Sequence, residues 1–320
     1  MSCCPLPAPR EKYAPSSRRL LLLAGLALAL ALPLAGPVKA RPGDAPDKLI
    51  EWNVSDWPPF FVFRQGQLPV TAQDLGGGAI DGFLRLVITR LPQYQHRFVS
   101  MTGARAEVER KAGRGLCSPS SMRTAERLKE RFFTPAMPTL PLQLVLRRDR
   151  LPLIAGGKGS VSLQQLTRRD DVQGLVMSNR QYGQALAQWV KPAPDSNVRS
   201  LVAPRAGNLL AMLAAGRMDY TLEYPMIVEY HQRQQGRTGD LVTLPIDELG
   251  EPPLGYFSCT RNAWGKAVIA DIDGALRQVA RLPEARQVYG PWMSEALRAG
   301  HQDRIDRFFD QRARGGPMIE

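Results

Sequence analysis

Leu49-Ile50-Glu51-Trp52-Asn53-Val54 sets Ile50, Trp52 and Val54 on one side of an extended chain and Glu51 and Asn53 on the other. That alternation is the period of a β-strand with one buried face. The run leads straight into Asp56-Trp57-Pro58-Pro59-Phe60-Phe61, where two prolines stop the ladder and leave aromatic side chains at the strand's carboxyl end. Gly76-Gly77-Gly78 reads as a flexible turn. After it, Ile80, Phe83, Leu84, Val87 and Leu91 recur at helical spacing and predict a helix over 79–91.

The same alternation of elements continues. Further strands are predicted over 97–101, 142–146, 174–177, 198–202, 220–223, 241–244 and 256–258. Between them fall a polar helix ending near Lys111, a charged helix over 123–135, a short one at 163–166 and one over 182–190. Ser178 or Asn179 would cap the last of these. A helix over 208–215 ends at Gly216, and the stretch before 241 reads as turn-rich. Ile269, Ile272, Leu276 and Val279 mark an amphipathic helix, and two more helices near 286–299 and 302–312 complete the chain. Strands and helices in alternation argue an α/β fold with mixed, mostly parallel sheets.

The first forty residues have another logic. Four basic residues, Arg10, Lys12, Arg18 and Arg19, precede thirteen apolar residues, Leu20–Leu32. Pro33, Gly36 and Pro37 then lead to Val38-Lys39-Ala40, a small-x-small cleavage site. These are the zones of a secretory signal peptide, and the apolar run is short against the roughly 20 residues that span a bilayer. Cleavage near Ala40 and a periplasmic mature protein are expected; a retained anchor is the alternative. Arg18-Arg19 hints at twin-arginine export, and the route stays open. Residues 41–47 read as a linker.

Removing residues 1–40 takes five basic residues and one acidic, lowering the net charge from +12 to +8. It also removes Cys3 and Cys4. Cys117 and Cys259 are left as an even pair in an oxidising compartment and are expected to form a disulfide, with two buried thiols as the alternative. His96, His231 and His301 are far apart, so no metal site is expected. The basic excess is spread along the chain rather than gathered in a stripe with aromatics, which disfavours nucleic acid as a partner.

Enzyme signatures are missing. There is no G-x-S-x-G elbow and no G-x-G-x-x-G after a strand. Gly156-Gly157-Lys158-Gly159-Ser160 lacks the spacing of a phosphate loop and reads as a turn. No catalytic residues and no cofactor are expected.

Four stretches, in order, carry a resemblance. They are Trp57-Pro58-Pro59-Phe60; Arg123-Thr124-Ala125-Glu126-Arg127 with Phe132-Phe133-Thr134-Pro135; Ser162-Leu163-Gln164-Gln165-Leu166 with Tyr182-Gly183; and Leu213-Ala214-Ala215-Gly216-Arg217-Met218-Asp219. Together they resemble the periplasmic solute-binding proteins of the polar-amino-acid type over most of residues 48–295. The resemblance implies the two-lobed periplasmic-binding-protein fold (type 2). One lobe would take 48–141 with 256–320, and the other 142–255 with the hinge segments. Cys117 and Cys259 would both fall in the first lobe.

It also implies a site. Arg127 matches the family's arginine that clamps a ligand carboxylate, a task suited to a guanidinium fork, and Thr124 matches its hydroxyl donor. Trp57 and Phe60 would sandwich an apolar or planar part of the ligand. Ser178, Asn179 and Tyr182 would open a helix whose free N–H groups favour an anion. Where receptors for amino acids carry an Asp for the ligand's ammonium, this chain has Tyr224. The adjacent acid, Glu223, points to the other strand face.

The expected function is that of a monomeric receptor that captures a small, carboxylate-bearing solute for a membrane transporter or sensor. Two alternatives on the same fold are an accessory protein that binds a partner and a dehydratase-like enzyme using Arg127 with Glu223.

Overall fold

The computed structural model describes residues 48–320 except 179, 181, 184, 204 and 205. The expected signal peptide and linker therefore lie outside the described residues. No described helix is long and apolar enough to cross a membrane.

The chain begins with β1 (Leu49–Asn53), α1 (Ala79–Ile88), β2 (Gln95–Val99), α2 (Gly103–Lys111) and β3 (Leu116–Ser121). Next come α3 (Ala125–Leu128), β4 (Arg131–Pro138), β5 (Gln143–Arg147), α4 (Leu151–Ala155), α5 (Leu163–Leu166), β6 (Gly174–Met177) and β7 (Val198–Leu201). After α6 (Ala206–Ala214), β8 (Tyr220–Glu223), α7 (Pro225–Gln234) and β9 (Leu241–Leu244), the chain returns through β10 (Leu254–Thr260). Helices α8 (Ala263–Val279), α9 (Pro283–Arg286) and α10 (Glu295–Arg314) end it.

Two five-stranded sheets result, ordered β2-β1-β3-β10-β4 and β7-β6-β8-β5-β9. Each is mixed. β1 runs parallel to β2 and β3, while β10 runs antiparallel to β3 and β4. In the second sheet β6 is parallel to β7 and β8, and β5 is antiparallel to β8 and β9. The antiparallel pairings come from the strands next to the crossings: β4 continues into β5, and β9 returns through β10.

Each sheet carries its own core, and the two halves are called lobes here. In the first lobe the β1 face of Ile50, Trp52 and Val54 packs with Phe83, Leu84 and Val87 of α1 and Ile269, Ile272 and Leu276 of α8. The period-2 and period-3.6 stripes of the sequence meet there. The second lobe is built around Leu144, Leu146, Leu186, Tyr220 and Leu222.

The crossings are tied to each other. The Thr139 N–H donates to the Pro253 carbonyl at 3.3 Å. Arg304 of α10 donates Nη1 to the Thr139 carbonyl and Nη2 to the Pro252 carbonyl, both at 2.6 Å. α10 itself is pinned to the first lobe by a buried cluster. Asp273 Oδ1 accepts from Arg312 Nη2 (2.6 Å), Thr134 Oγ1 (2.8 Å) and the Met318 N–H (3.1 Å).

Cys117 and Cys259 are disulfide-bonded, with Cα atoms 4.1 Å apart. They are register partners on β3 and β10, which is how two distant cysteines come together.

Several local expectations are corrected. The helix expected over 182–190 is a series of turns at 185–189. The charged helix over 123–135 is only the single turn α3, because Arg131–Pro138 is taken into the first sheet beside β10. The turn-rich stretch before 241 holds α7, whose Pro225 sits in the first turn, where a missing N–H costs nothing. The helices expected near 286–299 and 302–312 give way to α10 (Glu295–Arg314), which runs unbroken through Gly300, while 287–294 lies outside it. Gly76 and Gly78 do not serve flexibility. A Cβ there would stand 1.9 Å from the Val62 carbonyl oxygen and 2.4 Å from that of Phe60, so glycine is required by close approach.

Candidate functional site

A cavity of about 340 Å³ lies between the lobes. Its walls come from the loop after β1, from α2, from β3 with the start of α3, and from Tyr224 of the second lobe.

The aromatic wall is fixed from below by α1. The first helical N–H groups, of Ala79 and Ile80, donate to the Pro59 and Phe60 carbonyls at 2.9 and 2.8 Å. Asp81 Oδ2 accepts from the Val62 N–H (2.8 Å) and the Gly78 N–H (3.0 Å). Burial pushes the Asp81 carboxyl above its ordinary value, against the pull of these bonds. Held this way, Trp57 and Phe60 lie 4.4 Å apart by ring centroid. Both meet the Tyr224 ring edge-on across the gap, at 6.5 and 6.1 Å. Trp57 is 41% exposed, so it forms the mouth rather than the core.

Arg127 lines the cavity beside β3. Its Nη1 donates to the Met122 carbonyl at 3.1 Å, and it has no carboxylate partner among the described ion pairs. Thr124 does not reach the cavity; its Oγ1 accepts the Arg127 N–H at 3.3 Å and caps α3. The threonine therefore orients the backbone that carries Arg127.

In the second lobe Tyr224 alone of the expected residues lines the cavity. Glu223 is buried at the end of β8, and Arg180 holds it through two bonds, Nη1–Oε2 at 2.5 Å and Nη2–Oε1 at 2.8 Å. The Arg180 guanidinium also lies over the Tyr182 and Tyr224 rings, at 5.3 and 5.4 Å. Burial would lower the Arg180 pKa, but the charge and bonds of Glu223 outweigh it and raise it above the ordinary value. The Tyr182 hydroxyl accepts the Met177 N–H at 2.8 Å, a structural task. Ser178 is exposed and off the cavity, and Asn179 lies outside the described residues. The described residues 185–189 form turns, so Ser178 and Tyr182 open no helix among the described residues.

Sequence reasoning missed two charged cavity residues. Arg110 of α2 and Arg131 of β4 line it and are buried, 4% and 5% exposed. Both lie in charged segments that read as solvated surface. Only the partnering of α2 with β3 and β4 reveals that they face inward. Arg110 Nη2 donates to Ser118 Oγ at 2.9 Å, and Arg131 Nη2 to Glu107 Oε1 at 3.1 Å. Burial, and then the charge of Arg131, lowers the Arg110 pKa to about 10. Among the described residues no Asp or Glu lines the cavity, and no group of His, Cys, Asp and Glu is placed to hold a metal.

Two mixed sheets joined by paired crossings, with a cleft between them, are the architecture of two-lobed periplasmic binding proteins. Solved structures bear this out. One, described for glutathione import in Gram-positive bacteria via GshT and the cystine importer TcyBC of Streptococcus mutans, superposes with a TM-score of 0.58 at 14% identity, covering 77% of this chain and 95% of that one. The probable amino-acid ABC transporter extracellular-binding protein ytmK of Bacillus subtilis gives 0.56 at 16%, covering 78% and 98%. The periplasmic VFT2 domain of Bordetella pertussis BvgS gives 0.50 at 15%, covering 77% and 93%. No protein-family model and no curated protein sequence matches the chain. At these identities the likeness establishes the fold.

Proposed function

We propose that this protein is an extracytoplasmic receptor that captures a small carboxylate-bearing solute between its lobes and presents it to a membrane transporter or sensor. One observation carries this reading: a cavity between the lobes with an arginine free of carboxylate partners, an aromatic mouth and no acidic lining. A cavity of this size suits a small ligand, and a guanidinium fork suits a carboxylate. The fold neighbours include both a transporter's binding protein and a domain of BvgS, so both destinations stay within the proposal. Export by a cleaved signal near Ala40 and a monomeric state belong to the same reading.

The dehydratase-like alternative needs Glu223 as a base facing the ligand. Its two oxygens are occupied by Arg180 and it does not line the cavity, which weighs against that chemistry. The accessory-protein alternative predicts no solute at all.

The test is a thermal-shift screen of carboxylate-bearing solutes on the purified protein, with Arg127→Ala as the control. A solute at a hundred times its Kd should raise Tm by about 5 °C or more, and the variant should lose that response. A screen in which no carboxylate stabilises the wild type would defeat the reading.

A further inference from the structure

We propose that Arg110 and Arg131 form a second anion subsite in the cavity floor, so that the solute carries two acidic groups and no ammonium. This rests on the receptor reading above and deepens it.

Both guanidinium groups are more than nine-tenths buried and line the cavity, and the Nε of each is buried without a hydrogen-bond partner. A buried unpaired donor is costly, and more so on a charged group. Arg110 has no carboxylate among the described ion pairs, only the hydroxyl of Ser118. Arg131 shares Glu107, a residue of α2 that does not line the cavity.

Three like charges, of Arg110, Arg131 and Arg127, thus meet around one space that holds no acid. The charges of Arg131 and Arg127 both disfavour the protonated form of Arg110. An anion set among them would offset the repulsion between the three guanidinium groups.

The rest of the wall fits the same solute. Met101, Met122 and Met137, with Trp57 and Phe60, give an apolar stretch for the body of the ligand. An ammonium would find no carboxylate and three guanidinium groups, so zwitterionic amino acids are penalised.

The test is calorimetric titration of the full protein with glutarate and adipate, against hexanoate and glutamate as the singly acidic and zwitterionic probes. The dicarboxylates should bind roughly ten- to a hundredfold more tightly than hexanoate, the weight of one charged hydrogen-bonded subsite. Arg110→Met should remove most of that advantage, weakening the dicarboxylates far more than hexanoate, whereas Arg127→Ala should weaken all of them. If hexanoate binds as tightly as the dicarboxylates, or Arg110→Met leaves them equal to wild type, the subsite is wrong while the receptor reading survives.

Sulfate provides a readout independent of the solute. At fixed ionic strength it should raise the wild-type Tm more than that of Arg110→Met or Arg131→Gln. Equal shifts would overturn the subsite even if no carboxylate bound. Folding is checked in the same melt. Arg110→Met should melt no lower than wild type without ligand, since it deletes an underpartnered buried charge, and a clear drop would mark Arg110 as structural.

Discussion

The guanidinium of Arg180 grips the carboxylate of Glu223 through two nitrogens and two oxygens, with Tyr182 and Tyr224 flanking it. The pair removes from the cleft the one acid that the sequence offered for recognising an ammonium or abstracting a proton. It also backs Tyr224, whose ring faces Trp57 and Phe60 from the other lobe.

Arg180→Ala should therefore cost about 3 kcal/mol, the penalty for stranding a buried charge. Urea unfolding measures it. Replacing both partners, Arg180→Met with Glu223→Leu, should recover most of the loss, because breaking such a pair is costlier than exchanging it for apolar volume. A single variant as stable as wild type would mean that the pair is solvated in solution.

The two buried aspartates should pull the acid limb of stability in opposite directions. Burial alone would raise the Asp273 carboxyl, but the bonds from Thr134, Arg312 and Met318 outweigh it and hold it below its ordinary value. The unfolded chain then takes up the proton at higher pH, so Asp273's contribution is whole above about pH 4 and is lost as pH falls through the folded value. Asp273→Asn should lower stability at neutral pH and flatten its fall in acid. Asp81 is raised, so it gains favour as pH falls, and Asp81→Asn should make the fall steeper. Urea midpoints followed from pH about 7 to about 3 decide both signs.

The Cys117–Cys259 bond closes 142 residues. Loop-closure entropy sets an upper figure of about 5 kcal/mol for such a loop, and measured bonds more often give 2–4. A Cys117→Ser, Cys259→Ser double variant should lose about 3 kcal/mol. In the protein freed of residues 1–40, which carry Cys3 and Cys4, alkylation before reduction should leave the mass unchanged, and two added groups would refute the bond in solution.

Arg304→Ala should cost about 2 kcal/mol, since its two bonds to the Thr139 and Pro252 carbonyls are charge-assisted and mostly buried. Arg304→Lys keeps the charge but lacks the fork that spans both crossings. It should recover less than half of the loss in the same unfolding assay.

Where a local pattern met a buried face, the sequence was a good guide. β1 with Ile50, Trp52 and Val54, the strands at 174–177, 220–223 and 241–244, and α8 with Ile269, Ile272, Leu276 and Val279 stand where alternation or helical spacing put them. What misled was tertiary. Arg131 to Pro135 read as the end of a charged helix, yet pairing with β10 draws it into the strand Arg131–Pro138. The cavity was half legible: Trp57, Phe60, Arg127 and Tyr224 line it, while Thr124, Ser178, Tyr182 and Glu223 do not. Arg110 and Arg131 were invisible because a buried arginine and a solvated one look alike in a charged segment, and only the packing of α2 on β3 separates them. No local rule could pair Arg180 with Glu223 across 43 residues.

The disulfide also fixes a phase. Cys117 faces the first-lobe core, and the next residue, Ser118, holds Arg110 on the cavity side. A strand has only these two faces, so slipping β3 by one residue against β10 would exchange them. The serine would go into the core and the cysteine to the cavity. A covalent bond between register partners forbids that slip as long as it is oxidised. The bond thus does more than hold this lobe together: it fixes which side chains of β3 face the cavity.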